Sequence, residues 1–269
     1  MLEVNLKRTA LNVAGCCNLR CKDCLAFIPY YKKRWIMSYS EASKVIEKYF
    51  QVVDTVNTFT ITGGEPLLNP EIGKILNEVN KYKNQVNISI DFVTNASLNI
   101  PEEVLDFFES NKEHARIILS NYGEDLSVKI DDIEKELIRR NITYRISKFS
   151  GSDLYYDGWI DFSDHTLKHK TLQERDEYAA KCVHGAGKYF VINDGCIHRC
   201  SRSYWRIKNG IIPAVEGEYV PLMDDALSLE KKKELLVGMV HQVSTTSCAH
   251  CVGLRNDVPR VKPAIQLKR

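Results

Sequence analysis

Apolar residues recur in two rhythms along the first 150 positions. Short runs rich in Val, Ile, Phe and Thr stand at residues 9–13, 58–61, 88–94, 116–120 and 142–147, as expected of buried strands. Between them the apolar positions fall three and four apart. Ser38 with Glu41 three residues on is a capping box leading into Val45, Ile46, Phe50 and Val53 on one helical face. Asn69-Pro70 reads as an N-cap followed by proline at the first helical position, ahead of Ile72, Ile75, Leu76 and Val79. Pro101 opens a third helix, and Ile130, Ile133 and Leu137 stripe a fourth. Strand and helix in turn predict an α/β protein with a parallel sheet and crossover helices. The run Trp159-Ile160-Asp161-Phe162 is the predicted sixth strand.

After about Ser163 the pattern changes. A charged, helical stretch at 172–180 runs into Cys182. An apolar run at 189–192, the turn Asn193-Asp194-Gly195 and the run Cys196-Ile197-His198-Arg199-Cys200 predict a β-hairpin, because Asp-Gly between apolar runs is a strong hairpin signal. A helix from Ser228 through Leu235, Leu236 and Met239 precedes Cys248-Ala249-His250-Cys251. No internal repeat or low-complexity linker interrupts the chain.

Length and composition narrow this picture. With 269 residues and 44% hydrophobic content, the chain can bury one large core, or one core plus a small appended unit. Lys+Arg 37 against Asp+Glu 35 gives a net charge of +2, which is no basic field for nucleic acid. The first fifteen residues lack the features of a signal peptide, and no later stretch approaches the ~20 apolar residues that span a bilayer. A cytoplasmic protein without membrane attachment is expected. Nine cysteines, grouped at 16–24, 182–200 and 248–251, suit metal ligation in a reducing compartment better than a disulfide framework.

The run Cys17-Asn18-Leu19-Arg20-Cys21-Lys22-Asp23-Cys24 puts three thiols on one loop directly after an apolar strand. Ligands bind at the carboxyl ends of strands in sheets of this kind, and both this loop and Gly63-Gly64-Glu65-Pro66 fall there. An iron-sulfur cluster normally takes four cysteines, so three leave one iron open. Alone, the three also suit half a zinc site. Together with Gly-Gly-Glu-Pro about forty residues later, the run resembles the radical S-adenosylmethionine family. In that family Cys-x3-Cys-x2-Cys holds a [4Fe-4S] cluster whose open iron binds the amino and carboxylate groups of the cofactor.

The resemblance implies a partial (β/α)6 TIM-like barrel over residues 1–165, with Cys17, Cys21 and Cys24 on the cluster. It also implies cofactor contacts from Gly63, Gly64, Glu65 and Pro66, and from Asn95 in a Thr94-Asn95 turn where Ala96 replaces the usual glycine. Ser120, at the end of the fourth strand, is placed on the ribose, with a polar strand end facing water as the plain alternative. Phe27 is placed by the adenine, with core packing as its alternative. Arg145 is preferred over Lys148 for the cofactor carboxylate because of its bidentate fork.

Cys182, Cys200, Cys248 and Cys251 supply four more sulfurs from a helix end, a hairpin strand and a Cys-x2-Cys turn, enough for a closed cluster or structural zinc. Cys196 and Cys200 share strand parity, so either can be the second ligand. Cys, hairpin, Cys, helix and Cys-x2-Cys in this order resemble the twitch extension, a shortened SPASM domain. That resemblance implies a small C-terminal α+β domain at 166–269 with an auxiliary [4Fe-4S] cluster, and it selects Cys200. Cys196 is left as a spare thiol and candidate hydrogen-atom donor, and Cys16 as a small buried hydrophobe.

The activity so implied uses an electron from a flavodoxin or ferredoxin-type reductant to split S-adenosylmethionine into methionine and a 5′-deoxyadenosyl radical, which takes a hydrogen atom from a substrate carbon. An auxiliary cluster favours oxidation; a thiol on the opposite face favours epimerisation. Peptide-modifying members commonly carry a leader-binding domain ahead of the barrel, and a cysteine loop at residue 17 leaves no room for one. A small substrate, a carbohydrate or sugar nucleotide, is therefore expected, with a ribosomal peptide as the alternative. The cysteine loop, Cys251-Val252-Gly253 and Pro263-Ala264-Ile265-Gln266 also look like bacterial twitch proteins linked to surface-polysaccharide or aminoglycoside-like sugar biosynthesis. Tyr155, Tyr156 and Trp159 are candidates to line the substrate pocket. Two non-enzymatic classes stand beside this reading: an iron-sulfur electron carrier, which needs no Gly-Gly-Glu-Pro, and a zinc-organised interaction module.

Overall fold

A computed structural model describes residues 2–152, 154 and 158–268. Five strands, β1 (Asn5–Asn12), β2 (Thr55–Thr62), β3 (Val86–Thr94), β4 (Ala115–Asn121) and β5 (Tyr144–Lys148), pair in parallel in sequence order. They are joined by α1 (Tyr39–Val52), α2 (Ile72–Asn80), α3 (Glu102–Ser110) and α4 (Ile130–Arg139). Next come α5 (Leu172–Ala180), α6 (Val183–Gly187), β6 (Tyr189–Asn193), β7 (Cys196–His198), α7 (Ser201–Lys208), β8 (Tyr219–Pro221) and α8 (Leu229–His241). The sheet runs β5-β4-β3-β2-β1-β6-β7-β8.

Strand alternation divides the sheet into two chemical faces. Leu11, Phe59, Ile61, Ile90, Phe92, Ile117 and Leu119 are fully buried and pack with Ile46, Tyr49, Ile75, Leu76, Phe108 and Leu137 of the covering helices. Each contributes roughly 1.5–3 kcal/mol by leaving water. The opposite face carries Arg8, Asn12, Thr60, Asp91, Arg116 and Ser120, positions offset by one from the apolar set. There Arg116 grips the buried Asp91 through two bonds of 2.7 and 3.1 Å, and Ser89 donates to the same carboxylate. A polar inner face beneath the carboxyl ends of the strands is where this fold can receive a ligand.

Several helix starts follow the sequence. Ser38 and Glu41 form the expected capping box, and Ser228 accepts from the Lys231 amide. Thr171 and Glu174 form another box ahead of α5. Asn69 is different. It is buried and donates to the carbonyls of Val13 (3.1 Å) and Met37 (2.8 Å), while its Oδ1 accepts from the Glu71 amide. Its NH2 group ties the β2–α2 connection to the segment after β1, and the regular helix begins at Ile72 rather than at Pro70.

The predicted sixth strand at 159–162 is not one. Trp159 makes only an isolated antiparallel bridge to Val261, while Ile160 and Phe162 bury in a separate apolar cluster with Phe27 and Trp205. The sixth parallel strand is instead β6, which pairs with β1 on the other side of the sheet. The hairpin turn is as expected: Asp194 and Gly195 take φ of 51° and 68°, the left-handed pair of a type I′ turn. The hairpin thus continues the barrel's own sheet. Tyr155 and Tyr156 lie outside the described residues.

Candidate active site

The β1–β2 pairing extends past the strands. Val13 donates to Thr62 (2.9 Å), Gly64 to Ala14 (2.7 Å) and Glu65 to Cys16 (2.9 Å). This ladder lays Gly63-Gly64-Glu65 directly on the start of the cysteine loop. Both glycines are required by contact, since a Cβ at Gly63 would stand 2.6 Å from the Ala14 carbonyl oxygen and one at Gly64 2.0 Å from that of Cys16. Cys16 is buried, and its carbonyl serves this ladder.

Each thiol of the loop has amide donors around it. Leu19 N–H lies 3.4 Å and Asn95 Nδ2 3.6 Å from Cys17 Sγ, Gln266 Nε2 lies 3.2 Å from Cys21 Sγ, and the amides of Ile28, Ala26 and Phe27 face Cys24. Burial pushes the Cys17 thiol up to about 12 and Cys21 to about 11, against the pull of those donors. Donors on sulfur are what an iron-sulfur cluster uses, so the loop fits a three-cysteine cluster. Its assembly must displace the thiol protons.

Glu65 is wholly buried. Its carboxylate accepts from Thr94 Oγ1 (2.8 Å), Leu67 N (3.1 Å) and Asn95 N (2.8 Å), which locks the end of β2 to that of β3. Burial nevertheless raises its carboxyl to about 7. The folded chain therefore holds this proton more tightly than the unfolded one, and stability should fall by roughly 3 kcal/mol as pH rises from the unfolded value of 4.5 through about 7. Glu65→Gln should lose that slope. Urea midpoints at pH 5 and pH 8 check it, and equal slopes in both proteins would refute it.

Asn95 also holds Asn18 (3.0 Å) and Ser97. Ala96, in the place of the usual glycine, takes φ 55°, so the left-handed turn persists at the cost of side-chain strain. Pro66 is buried at the start of a short 3-10 turn. Ser120 is buried at the end of β4. Arg145 is exposed, in register with Ile118 on the inner side of β5. Phe27 has its core environment: 4% exposed, φ 57°, with its ring centroid 4.7 Å from that of Trp205.

Two contributors escaped the sequence reading. Tyr122, just past β4, is raised by burial, with Cys21, Cys24 and Cys17 facing its hydroxyl and a hydrogen bond from Ser120. Its ring stacks on Phe149 and meets Trp159 edge-on. The C-terminal tail clamps the cysteine loop: Lys22 donates to Ile265 (2.7 Å), Leu267 to Arg20 (2.8 Å), and Arg20 to Gln266 Oε1 (2.7 Å). Position after a strand end was the available signal for Tyr122; for the tail it was the likeness noted at Pro263-Ala264-Ile265-Gln266, with nothing local to show that it meets a loop 246 residues away.

The second set converges. Cys182, Cys200, Cys248 and Cys251 line one cavity. Cys182 and Cys200 are the N-caps of α6 and α7, where helix dipoles favour negative charge. Leu254 N–H lies 3.4 Å from Cys182 Sγ, Gly253 N–H 3.4 Å from Cys251 Sγ and Thr245 N–H 3.5 Å from Cys248 Sγ. Burial raises Cys248 to about 11; at Cys251 burial acts the same way, but Arg202 and Arg206 outweigh it and hold the thiol below its ordinary value. Cys196 does not line this cavity. It lies on the inner face of β7 opposite Asn193, with Asp194 and Lys208 nearby, and burial pushes it up to about 11. Among the described residues no group of three His, Cys, Asp or Glu is arranged to hold a single metal ion.

A protein-family profile described as the radical SAM superfamily matches residues 11–149. The chain belongs to that superfamily. The match spans the cysteine loop, Gly63-Gly64-Glu65-Pro66 and the ends of β3, β4 and β5. Membership implies a [4Fe-4S] cluster and S-adenosylmethionine. A curated relative, GTP 3′,8-cyclase of Campylobacter jejuni subsp. jejuni serotype O:6, is 25% identical over 268 residues, 82% of each chain. Among solved structures, BtrN in complex with AdoMet and 2-DOIA aligns at a TM-score of 0.56 and 13% identity over 98% of this chain and 100% of that one. Native anSMEcpe with bound AdoMet and Kp18Cys peptide aligns at 0.55 and 15% over 93% and 88%. These likenesses show the radical SAM partial-barrel fold. No helix of the described residues is long and apolar enough to cross a membrane.

Proposed function

We propose that this radical SAM enzyme oxidises a small polyhydroxylated substrate, a carbohydrate or a sugar nucleotide, with a second, auxiliary [4Fe-4S] cluster on Cys182, Cys200, Cys248 and Cys251 in a twitch-like C-terminal unit. The observation that carries this reading is the convergence of those four thiols on one buried cavity in a chain whose three-cysteine loop leaves an iron open. Four thiols on one cavity suit a closed cluster or structural zinc, and the cluster is preferred for the resemblance of this cysteine order to the twitch extension.

S-adenosylmethionine supplies the hydrogen-abstracting 5′-deoxyadenosyl group when bound. The chain supplies its seat. Gly63, Gly64 and Pro66 shape the strand end that meets the methionine part; Glu65 fixes that end and Asn95 beside Cys17; Ser120 and Tyr122 stand at the carboxyl end of β4; Arg145 is the candidate for the cofactor carboxylate. Lys22, Lys32, Lys33 and Arg34, all exposed around the cysteine loop, suit an acidic flavodoxin or ferredoxin-type reductant. The relatives named GTP 3′,8-cyclase make nucleotides, GTP included, the first substrates to test.

Epimerisation is the second reading, favoured by Cys196, an inner-face thiol outside the four-cysteine cavity. One experiment serves both. Anaerobically reconstituted protein is counted for iron, sulfide and zinc, then turned over in deuterated water with sugar nucleotides and nucleotides. Two clusters and a product two electrons more oxidised, without solvent deuterium and unaffected by Cys196→Ala, are expected. One deuterium at an inverted carbon, lost in Cys196→Ala with both clusters intact, would replace oxidation by epimerisation. Zinc in the second site would end the auxiliary-cluster reading.

A further inference from the structure

The four-cysteine cavity is walled by three arginines from one short stretch of chain. Arg199, Arg202 and Arg206 are 3%, 2% and 1% exposed and line it with the sulfurs. Apart from the cavity's own cysteines, where Arg202 and Arg206 each reach Cys251, their partners are uncharged. Arg199 donates to the carbonyls of Met239, Gln242 and Val243 at the end of α8, Arg206 to Ser247 and His165, and Arg202 lies 4.4 Å over the Phe162 ring. Among the described residues the ion-paired arginines are others, namely 116, 139, 140 and 255. The nearby buried acid, Glu218, is committed to Thr246.

Polar atoms are left over as well. Nε and Nη1 of Arg202, Nη2 of Arg206 and Nε of Arg199 are buried with no hydrogen-bond partner. Buried cations need a counter-charge, and three that face the cysteines of one cavity call for negative charge on and between those sulfurs. Four thiolates with a cluster bring net negative charge, and sulfide accepts from N–H donors.

We propose that Arg199, Arg202 and Arg206 form a cationic cradle that stabilises the reduced, more negative state of the auxiliary cluster and so raises its reduction potential. This rests on the reading of the second cysteine set as a cluster. Reduction adds one negative charge beside three buried cations, where the low dielectric makes their attraction strong. When a substrate carbinol radical becomes a carbonyl it releases one electron and its hydroxyl proton; the cradle makes the cluster a better acceptor for that electron, and the proton leaves to water. The cradle thus biases the site toward oxidation.

The test uses the full chain with Cys17, Cys21 and Cys24 replaced by alanine, so that only the second set binds iron. After anaerobic reconstitution, iron is counted and the midpoint potential measured by a redox titration followed by electron paramagnetic resonance. Arg202→Met and Arg206→Met should each retain iron and lower the potential by a tenfold loss in the reduced-to-oxidised ratio, 59 mV for one electron. Arg202→Lys should stay near the parent. Unchanged potentials with full iron overturn the cradle and leave the cluster standing, whereas zinc in the parent overturns the cluster reading itself. Iron lost from both methionine variants but kept in Arg202→Lys would assign the arginines to assembly and overturn the proposal.

Discussion

Replacing Cys17, Cys21 and Cys24 together by alanine is expected to abolish cleavage of S-adenosylmethionine while about half the iron remains bound. The two cysteine sets are built from different segments. The first hangs between β1 and the C-terminal tail, and the second between α6, α7 and the turn at Cys248. Nothing in the ligation of one requires the other. Iron and sulfide counts, with chromatography of 5′-deoxyadenosine, read both quantities. Residual cleavage in the triple variant would refute the assignment of the loop, and complete loss of iron would refute the independence of the two sites.

Gly64→Ala is expected to weaken cofactor binding at least tenfold and to destabilise the fold by about 1–3 kcal/mol, the cost of overpacking a tight contact. The added methyl would stand 2.0 Å from the Cys16 carbonyl oxygen and 3.1 Å from Cys17 Cβ. The clash falls on backbone, which cannot swing aside as a long side chain can. To relieve it, the Glu65–Cys16 hydrogen bond must open and the cysteine loop must lift from β2. Equilibrium binding of S-adenosylmethionine and a urea melt measure the two effects. Wild-type affinity in the variant would show that this ladder does not position the cofactor.

Local chemistry was legible in the sequence. The Ser38–Glu41 box, the Asp194-Gly195 turn and the stripe Ile130, Ile133 and Leu137 each depend on residues within one turn or one hairpin, and each stands where the pattern predicts. The three-cysteine loop and Gly63-Gly64 were legible for the same reason, as contiguous motifs. Long-range commitments were not. Asn69 does accept the Glu71 amide as a cap would, but nothing local shows that its NH2 group also reaches Val13 and Met37. Trp159 to Phe162 has strand composition, but Ile160 and Phe162 bury with Phe27 and Trp205, and Trp159 bridges Val261 instead of β5. Cys196 and Cys200 are equivalent by strand parity only while β7 is taken to reach residue 200; the strand ends at His198, and Cys200 turns into the cap of α7 beside the cavity.

The place of β6 beside β1 has a consequence for how the molecule can be divided. On its other flank β1 is bonded to β2, so β6 is what satisfies its remaining amides and carbonyls, from Arg8 opposite Tyr189 to Leu11 opposite Ile192. A chain ending near residue 165 would turn β1 into a bare edge of the sheet, a template for adhesion to another copy. The strand that would be uncovered is the one that leads into the first cysteine loop. The C-terminal hairpin is therefore a sealing strip for the catalytic half, and any exchange of this region between relatives has to carry a replacement strand with it.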